Sequence, residues 1–449
     1  MNQQPRNTGT GLLNPFLIFF PFLVFYIILI LMNQQSALNG DEFRYTYFAR
    51  NLLQGTYSPP APHINLGNGP GYPLFLAVLL GLKIPYLFIK LLNAVFYYLS
   101  TVFLFKTLRS VSTFNKALVV GLLWSCNYIA FPYMHYMLTE TFSVFLVSAM
   151  VYCLIRAFQQ SGRPARKFIG WAGFLIGYIA LTKIIFGYVI LILLTGSALL
   201  WLLKRDSATY RKGLVVLAIG FATTVPYLVY TWSLTGRINY WGTLAGNNMY
   251  WLSTPAPGEY GTWFPDVVPR PDSIPPGTVY VDKQKENPLI TIHRIFVPGT
   301  EDSIRFYHEK DFAEISSFDG MDQDDAYKKI VARNIKAHPF KFIQNCFSNV
   351  GRMLFGFPNS YMIQKPGDLV RLLPNGVIVI LALACLIPTL LNWKRIEYPI
   401  RLLLFFGLLY FGGSILGAAD IRMFTIIAPA FLLWIVYMIH KTVSIRLKF

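Results

Sequence analysis

Two adjacent carboxylates, Asp41 and Glu42, stand directly after the first long apolar stretch, with Arg44 and Tyr45 close behind them. On a helix, Asp41, Arg44 and Tyr45 share one face. A carboxylate can take a proton from an attacking hydroxyl, and a guanidinium can grip a phosphate through paired hydrogen bonds. The plainer reading is structural: Asp41 caps a short helix at the membrane surface and Arg44 answers it as an ion pair. Three further charges, Glu140, Lys183 and Arg422, stand at the ends of apolar stretches, where charge is costly and often functional. Each has its own structural alternative. Glu140 can begin a helix at the positive end of the helix dipole, Lys183 can snorkel to the interface, and Arg422 can pair with Asp420 across a turn.

Other residues carry weaker chemistry. His63 and His135, with Glu42 or Glu140, offer imidazole and carboxylate ligands of the kind zinc or manganese takes, but no motif spacing supports a metal. The acidic run from Asp319 to Asp325 lacks the spacing of a calcium loop and reads as helix capping. Aromatic residues between 240 and 263, Tyr250 and Trp251 among them, suit stacking on a sugar ring and equally suit interfacial anchoring. Cys126, Cys153, Cys346 and Cys385 have neither zinc nor disulfide spacing.

The elements that must position these residues are membrane helices. The 449 residues are 54% hydrophobic and 13% charged, against about 25% charged in soluble domains, with a mean hydropathy of +0.46. Apolar runs near 12–32, 86–106, 117–133, 139–158, 168–183, 184–203, 213–233, 374–392, 402–419 and 422–440 predict about ten spanning helices. The first is too long for a signal-peptide core and reads as a retained helix. The net charge of +18 does not indicate nucleic acid, because the basic residues sit in short loops beside the helices. Those loops hold Lys106, Arg109 and Lys116; Arg156, Arg163, Arg166 and Lys167; Lys204, Arg205, Arg211 and Lys212; Lys394, Arg395 and Arg401; and Lys441, Arg446 and Lys448. The positive-inside rule makes them cytoplasmic together with both termini, and anionic lipid headgroups are their counter-charge.

The opposite face then collects the candidate site. An N-terminal membrane module covers 1–233 with a first outer loop at 33–85; an extracytoplasmic domain covers 234–373; C-terminal helices cover 374–449. Residues 72–82 are too short to span, and 340–357 carries enough polar residues to lie in the interface. The outer domain reads as loops and short strands followed by a helix at about 323–337, a small mixed fold beside the all-α membrane bundle.

Asp41-Glu42-Phe43-Arg44-Tyr45, then Phe48-Ala49-Arg50-Asn51-Leu52-Leu53 and Gly55-Thr56-Tyr57, resembles the first-loop signature of GT-C glycosyltransferases, in the protein O-mannosyltransferase-like and aminoarabinose transferase-like branches. Gly69-Pro70-Gly71-Tyr72-Pro73-Leu74-Phe75-Leu76 resembles their Pro-rich lead-in to a second juxtamembrane helix. Met137-Leu138-Thr139-Glu140-Thr141 resembles the second acidic motif, Leu181-Thr182-Lys183 the helix-end lysine, and Ala419-Asp420-Ile421-Arg422-Met423-Phe424 with Pro429 the late arginine turn. Five motifs in order on one predicted face cover roughly 12–230 and 374–440. One departure is that Asn68 and Gly69 stand where relatives commonly carry a basic residue.

The resemblance implies an inverting transferase that moves a sugar from a polyprenyl phosphate to an extracytoplasmic acceptor, a protein, lipid or glycan, at the cytoplasmic membrane. It makes Asp41 the general base, Glu42 a residue that orients the acceptor or Asp41, Glu140 a shaper of the acceptor site, and Arg44, Lys183 and Arg422 the grip on the donor phosphate. Tyr45, His63, His135, Tyr250 and Trp251 are candidate contacts to acceptor or sugar. No cofactor is required. The chemistry is coherent on its own terms: no nucleotide-sugar pool exists outside the membrane, and a phosphate monoester leaves well without a general acid. A transporter or flippase is the competing class, but it predicts ionisable residues at mid-helix and repeat symmetry. An oligosaccharide ligase or a non-catalytic assembly subunit of the same fold is a third reading.

Overall fold

Apolar runs bounded by Pro, Gly and charged residues become helices throughout the computed structural model, which describes residues 14–34, 38, 40–203, 208–264, 295–363, 370 and 372–442. Lys204, Arg205, Arg446 and Lys448 of the basic loops, and the 265–294 stretch of the outer domain, lie outside the described residues.

The chain opens with α1 (Pro15–Ile18) and α2 (Phe20–Met32), one apolar run broken at Phe19. Pro21 has no N–H to give the carbonyl of Leu17, so the helical ladder is interrupted there. Two juxtamembrane helices follow, α3 (Asp41–Leu53) and α4 (Gly71–Gly81), then α5 (Tyr86–Val111), α6 (Phe114–Ser125), the single turn α7 (Phe131–Met134), α8 (Thr139–Gln159), α9 (Gly162–Thr182), α10 (Ile185–Leu203) and α11 (Ala208–Thr235). The outer domain contributes α12 (Ala245–Leu252), α13 (Thr300–Ile315), α14 (Gly320–Ala337) and α15 (Pro339–Phe355), and the chain closes with α16 (Leu372–Leu391), α17 (Tyr398–Ile415) and α18 (Ile421–Thr442).

Among the described residues, seven helices (α5, α8, α10, α11, α16, α17 and α18) are long and apolar enough to cross a bilayer. The other three expected spans correspond to α2 and α6, which are apolar but shorter, and α9, whose first turns carry Arg163, Arg166 and Lys167. The run at 117–133 ends early, at Ser125, and resumes as α7 behind Pro132. Within the bundle α18 is central, with 83% of its apolar window buried, while α16 buries only 22% and faces outward.

Helix ends sort into two faces. At one, the Gln159 amide donates to the Ser110 carbonyl (3.2 Å) and Lys212 donates to the Gln160 carbonyl (3.3 Å), so the basic termini of α5, α8 and α11 meet. Glu140 stands at the opposite end of α8, about 30 Å away at 1.5 Å per residue.

The outer domain is mixed as expected, with the helix predicted at about 323–337 present as α14, but α12 and α13 stand where loops and strands were read. Its described part is helical, with one antiparallel pair, β1 (Ile295–Phe296) against β2 (Met362–Ile363). Helix α13 buries Ile304, His308, Phe312 and Ile315, a helical spacing of three and four residues, behind an acidic first turn of Glu301 and Asp302. In the core, Glu259 sits 2.9 Å from His308 Nε2 and accepts from Tyr361 (2.6 Å), while Tyr250 Oη lies 2.5 Å from His308 Nδ1. Burial would raise the Glu259 carboxyl, but the bonds from His308, Thr254 and Tyr361 hold it below the usual range. Helix α15 buries Asn345, Asn349 and Arg352 and exposes Phe340, Ile343 and Phe347, as an amphipathic helix with its polar face turned inward. Asn349 ties it to the bundle by donating to the carbonyls of Ile415 and Gly417, both at 2.8 Å.

Candidate active site

Asp41 and Glu42 open α3 at its positive end, behind Gly40, whose φ of +48° is a left-handed conformation that glycine adopts freely. The two neighbours point into different surroundings. Glu42 is fully buried; its Oε1 accepts the Met137 N–H (2.8 Å) and lies 3.4 Å from Lys90 Nζ. Asp41 keeps 32% of its side chain exposed and meets two guanidiniums, Arg44 at 2.7 Å and Arg422 at 3.5 Å.

Arg422, in the first turn of α18, joins the acidic motifs. Its guanidinium lies 3.6 Å from Glu140 and 3.9 Å from Asp420, over the ring of Tyr133 at 5.7 Å. Its backbone N–H donates to Asp420 (3.0 Å), and that same carboxylate accepts from Tyr133 (3.3 Å). Lys183, at the end of α9, donates to Glu140 at 3.0 Å. Asp41 and Glu140, 99 positions apart in the chain, therefore flank one arginine, with Arg44 and Lys183 on the outer sides. Accessibility divides their work: the side chain of Glu140 is 7% exposed against 32% for Asp41.

Glycine sets the approach of loop and helix. A Cβ on Gly69 would stand 2.1 Å from the Leu181 carbonyl, and one on Gly71 would stand 2.6 Å from Thr182 Oγ1. Only a bare backbone lets the lead-in to α4 lie against the end of α9 that presents Lys183. Asn68, with its carboxamide oxygen turned to Arg44, accepts from Nε at 2.9 Å, so a neutral amide fills the position where relatives were expected to carry a base.

The remaining candidates fall elsewhere. Tyr45 is buried beneath the cluster, packed edge-on to Tyr72, with its hydroxyl 3.5 Å from Thr139 Oγ1. Burial raises its phenol further into the protonated range. His135 is buried in the α7–α8 turn against Tyr136, and burial, with help from Lys90, pulls its imidazole down to about 4. His63 is exposed and pairs with Asp319 (2.6 Å), away from His135. Tyr250 and Trp251, read as candidate sugar contacts, are 1% exposed and packed in the outer-domain core. In the acidic run, only Asp322 stands in the first turn of α14; Asp324 accepts from Gly246 N–H (2.6 Å) and Asp325 is forked by Arg237.

The fold that carries this arrangement recurs in solved structures. The Archaeoglobus fulgidus oligosaccharyltransferase in its apo form matches 95% of this chain and 50% of its own, at 11% identity and a TM-score of 0.51. The chain has the GT-C fold. Looser likenesses, both at a TM-score of 0.40, are ArnT from Cupriavidus metallidurans bound to undecaprenyl phosphate (12% identity, 95% of this chain, 77% of that one) and the S. cerevisiae protein O-mannosyltransferase Pmt1–Pmt2 complex bound to the sugar donor (18% identity, 51% and 35%). All are members of the GT-C superfamily. The chain thus spans about half the length of the oligosaccharyltransferase. No family model matches the sequence, and no curated protein does.

Within this GT-C frame two polar residues of α5 complete the site, and neither was among the sequence candidates. Lys90 is 4% exposed and Asn93 is 2% exposed. Asn93 donates to the carbonyls of Met134 (2.9 Å) and Tyr136 (2.7 Å) and accepts from Thr141 (2.6 Å). Together with Glu42 they fix the turn that delivers Thr139 and Glu140. The sequence signal existed: a lysine one turn inside an apolar span, with an asparagine three residues on, is the kind of intramembrane polar pair that demands partners.

Proposed function

We propose that this protein is an inverting membrane glycosyltransferase that takes a sugar from a polyprenyl-phosphate donor at the face opposite its basic loops. The observation that carries the proposal is the shared arginine: Arg422 touches both Asp41 and Glu140, with Arg44 and Lys183 beside them. Two guanidiniums on the partly open Asp41 carboxylate, with Lys183 beside them on Glu140, suit an anionic leaving group and a base in one place.

In the reaction, the acceptor hydroxyl oxygen attacks C1 of the sugar from the side opposite the phosphate. Asp41, the exposed carboxylate, takes the hydroxyl proton as the new C1–O bond forms. The C1–O bond to phosphate breaks with its electron pair on the phosphate oxygen, and polyprenyl phosphate leaves as a dianion. Arg44 and Arg422 supply paired donors to it, and Lys183 a point charge. The arriving phosphate competes with Asp41 for the two guanidiniums, leaving the carboxylate able to accept a proton. Glu140 holds Lys183 and Arg422 in place, and Glu42 positions Asp41 through Met137 and Lys90. The reaction as written draws its charge neutralisation from these side chains and calls on no cofactor. The positive-inside rule puts the site on the extracytoplasmic side of a cytoplasmic membrane.

The test uses purified protein in vesicles, a polyprenyl monophosphate carrying a labelled sugar, and an envelope extract as acceptor. The expected outcome is release of polyprenyl phosphate with label appearing on an acceptor in the opposite anomeric configuration. Movement of intact labelled lipid across the bilayer without bond cleavage would instead make the protein a flippase.

A further inference from the structure

We infer that the outer domain carries a subsite for a neutral saccharide, in a cavity between α12 and α14. The cavity has a volume of about 220 Å³, room for a sugar ring. The void beside Glu140 and Arg422, by contrast, is about 10 Å³ and at the limit for one water. Assigning the saccharide to the acceptor rests on the glycosyl-transfer reading above; the binding site itself does not.

The lining has the mixed chemistry a sugar requires, apolar C–H faces and a rim of hydroxyls. Trp263 contributes an indole that stays 43% exposed, unlike the buried Trp241 and Trp251. Its ring is held rather than free, because the indole N–H donates to Asn247 Oδ1 at 2.6 Å. Tyr327 closes the floor. Gln323 brings a carboxamide with donors and an acceptor, while the buried Asp324 carboxylate is already held by the Gly246 N–H and Lys328 and adds no free charge. Among the described residues the lining holds one acid and no base, and that acid is paired with Lys328 (2.5 Å), which also meets Asp325 (3.3 Å). Such a lining suits an uncharged sugar. It contrasts with the three-cation cluster, which suits phosphate.

Position links the two. Thr243, in the cavity wall, exchanges hydrogen bonds with Leu66: Leu66 N–H donates to Thr243 Oγ1 (3.1 Å) and Thr243 N–H to the Leu66 carbonyl (3.2 Å). Two residues further along, Asn68 meets Arg44. At most about 7 Å of extended backbone separates Leu66, which is hydrogen-bonded to the cavity wall, from the loop position that touches the cluster. A saccharide seated at Trp263 would thus be the part of a longer acceptor adjoining the unit that reacts.

The experiment is saturation-transfer NMR on the full chain in nanodiscs, with no donor present. The probes are methyl glycosides of neutral hexoses and pentoses, with a methyl glucuronide and a sugar phosphate as charged comparators. At least one neutral glycoside should receive saturation, and Trp263→Ala and Gln323→Ala should each weaken its binding by about fivefold to tenfold. An excess of polyprenyl phosphate should leave the signal in place. The inference is overturned if no neutral glycoside binds, if both variants bind as the unaltered protein does, if the charged comparators bind better, or if polyprenyl phosphate displaces the sugar. Because turnover is not measured, failure of the transferase reading would leave this result standing, and the reverse also holds.

Discussion

Side chains of one charge type do different work here because their surroundings differ. Asp41 and Glu42 are neighbours in sequence, yet one is open to solvent between two guanidiniums and the other is sealed against a backbone N–H and a lysine. Arg44→Ala and Arg422→Lys should therefore raise the donor KM, by about tenfold to a hundredfold if each removes a charged hydrogen bond to phosphate. Steady-state kinetics with varied lipid donor checks this, and an unchanged KM in both would remove the phosphate roles. His135 gives a pH signature. Its imidazole sits at about 4 in the folded chain against about 6.5 unfolded, so the native state binds fewer protons. Its contribution is fully present above pH 6.5 and is lost as pH falls toward 4. Thermal unfolding in detergent across that window should show the decline, and His135→Gln should flatten it. Residue type and spacing made Asp41, Arg44, Glu140, Lys183 and Arg422 legible from the sequence, because charge beside an apolar run stands out. The burial of Tyr250 and Trp251 was not legible, since an aromatic residue looks the same whether it anchors, stacks or fills a core.

Helix α5 shows how an element can be recognised while its role is missed. Its apolar length placed it, but Lys90 and Asn93 look like tolerated exceptions until α3 and the α7–α8 turn are packed against them. Lys90→Met leaves the Glu42 carboxylate buried without its cation, which costs about 3–5 kcal/mol. A thermal-shift measurement should show a large loss of stability for Lys90→Met and substantial recovery in the double variant with Glu42→Gln, whose carboxamide can still accept the Met137 N–H. No recovery would mean the lysine acts by packing alone. Helices α12 and α13 were hidden for another reason: α12 is short, with Gly246 and two asparagines, and α13 is rich in charge, so their helicity depends on tertiary burial of Tyr250 and Trp251 in one and of Ile304, His308 and Phe312 in the other.

On the scale of the whole molecule, the order of spans, the grouping of basic loops and the GT-C fold followed from hydropathy, positive residues and motif order, because lipid allows few alternatives to helices. Helix ends were less exact, as at Phe19 and Ser125, where proline and turn chemistry interrupt an apolar run that looks continuous. What could not be read was convergence. The meeting of α3, α8, α9 and α18 at one arginine depends on a bundle geometry in which α18 is the buried axis. The proposed base and phosphate grip rest on that convergence. The most direct measurement is turnover of a polyprenyl-phosphate sugar by the Asp41→Asn protein, with donor binding followed in parallel. Turnover should fall by about 10²–10⁴-fold, the usual worth of a general base, with the protein folded and donor affinity undiminished. An Asp41→Asn protein that transfers sugar at the unaltered rate would contradict the assignment of the base.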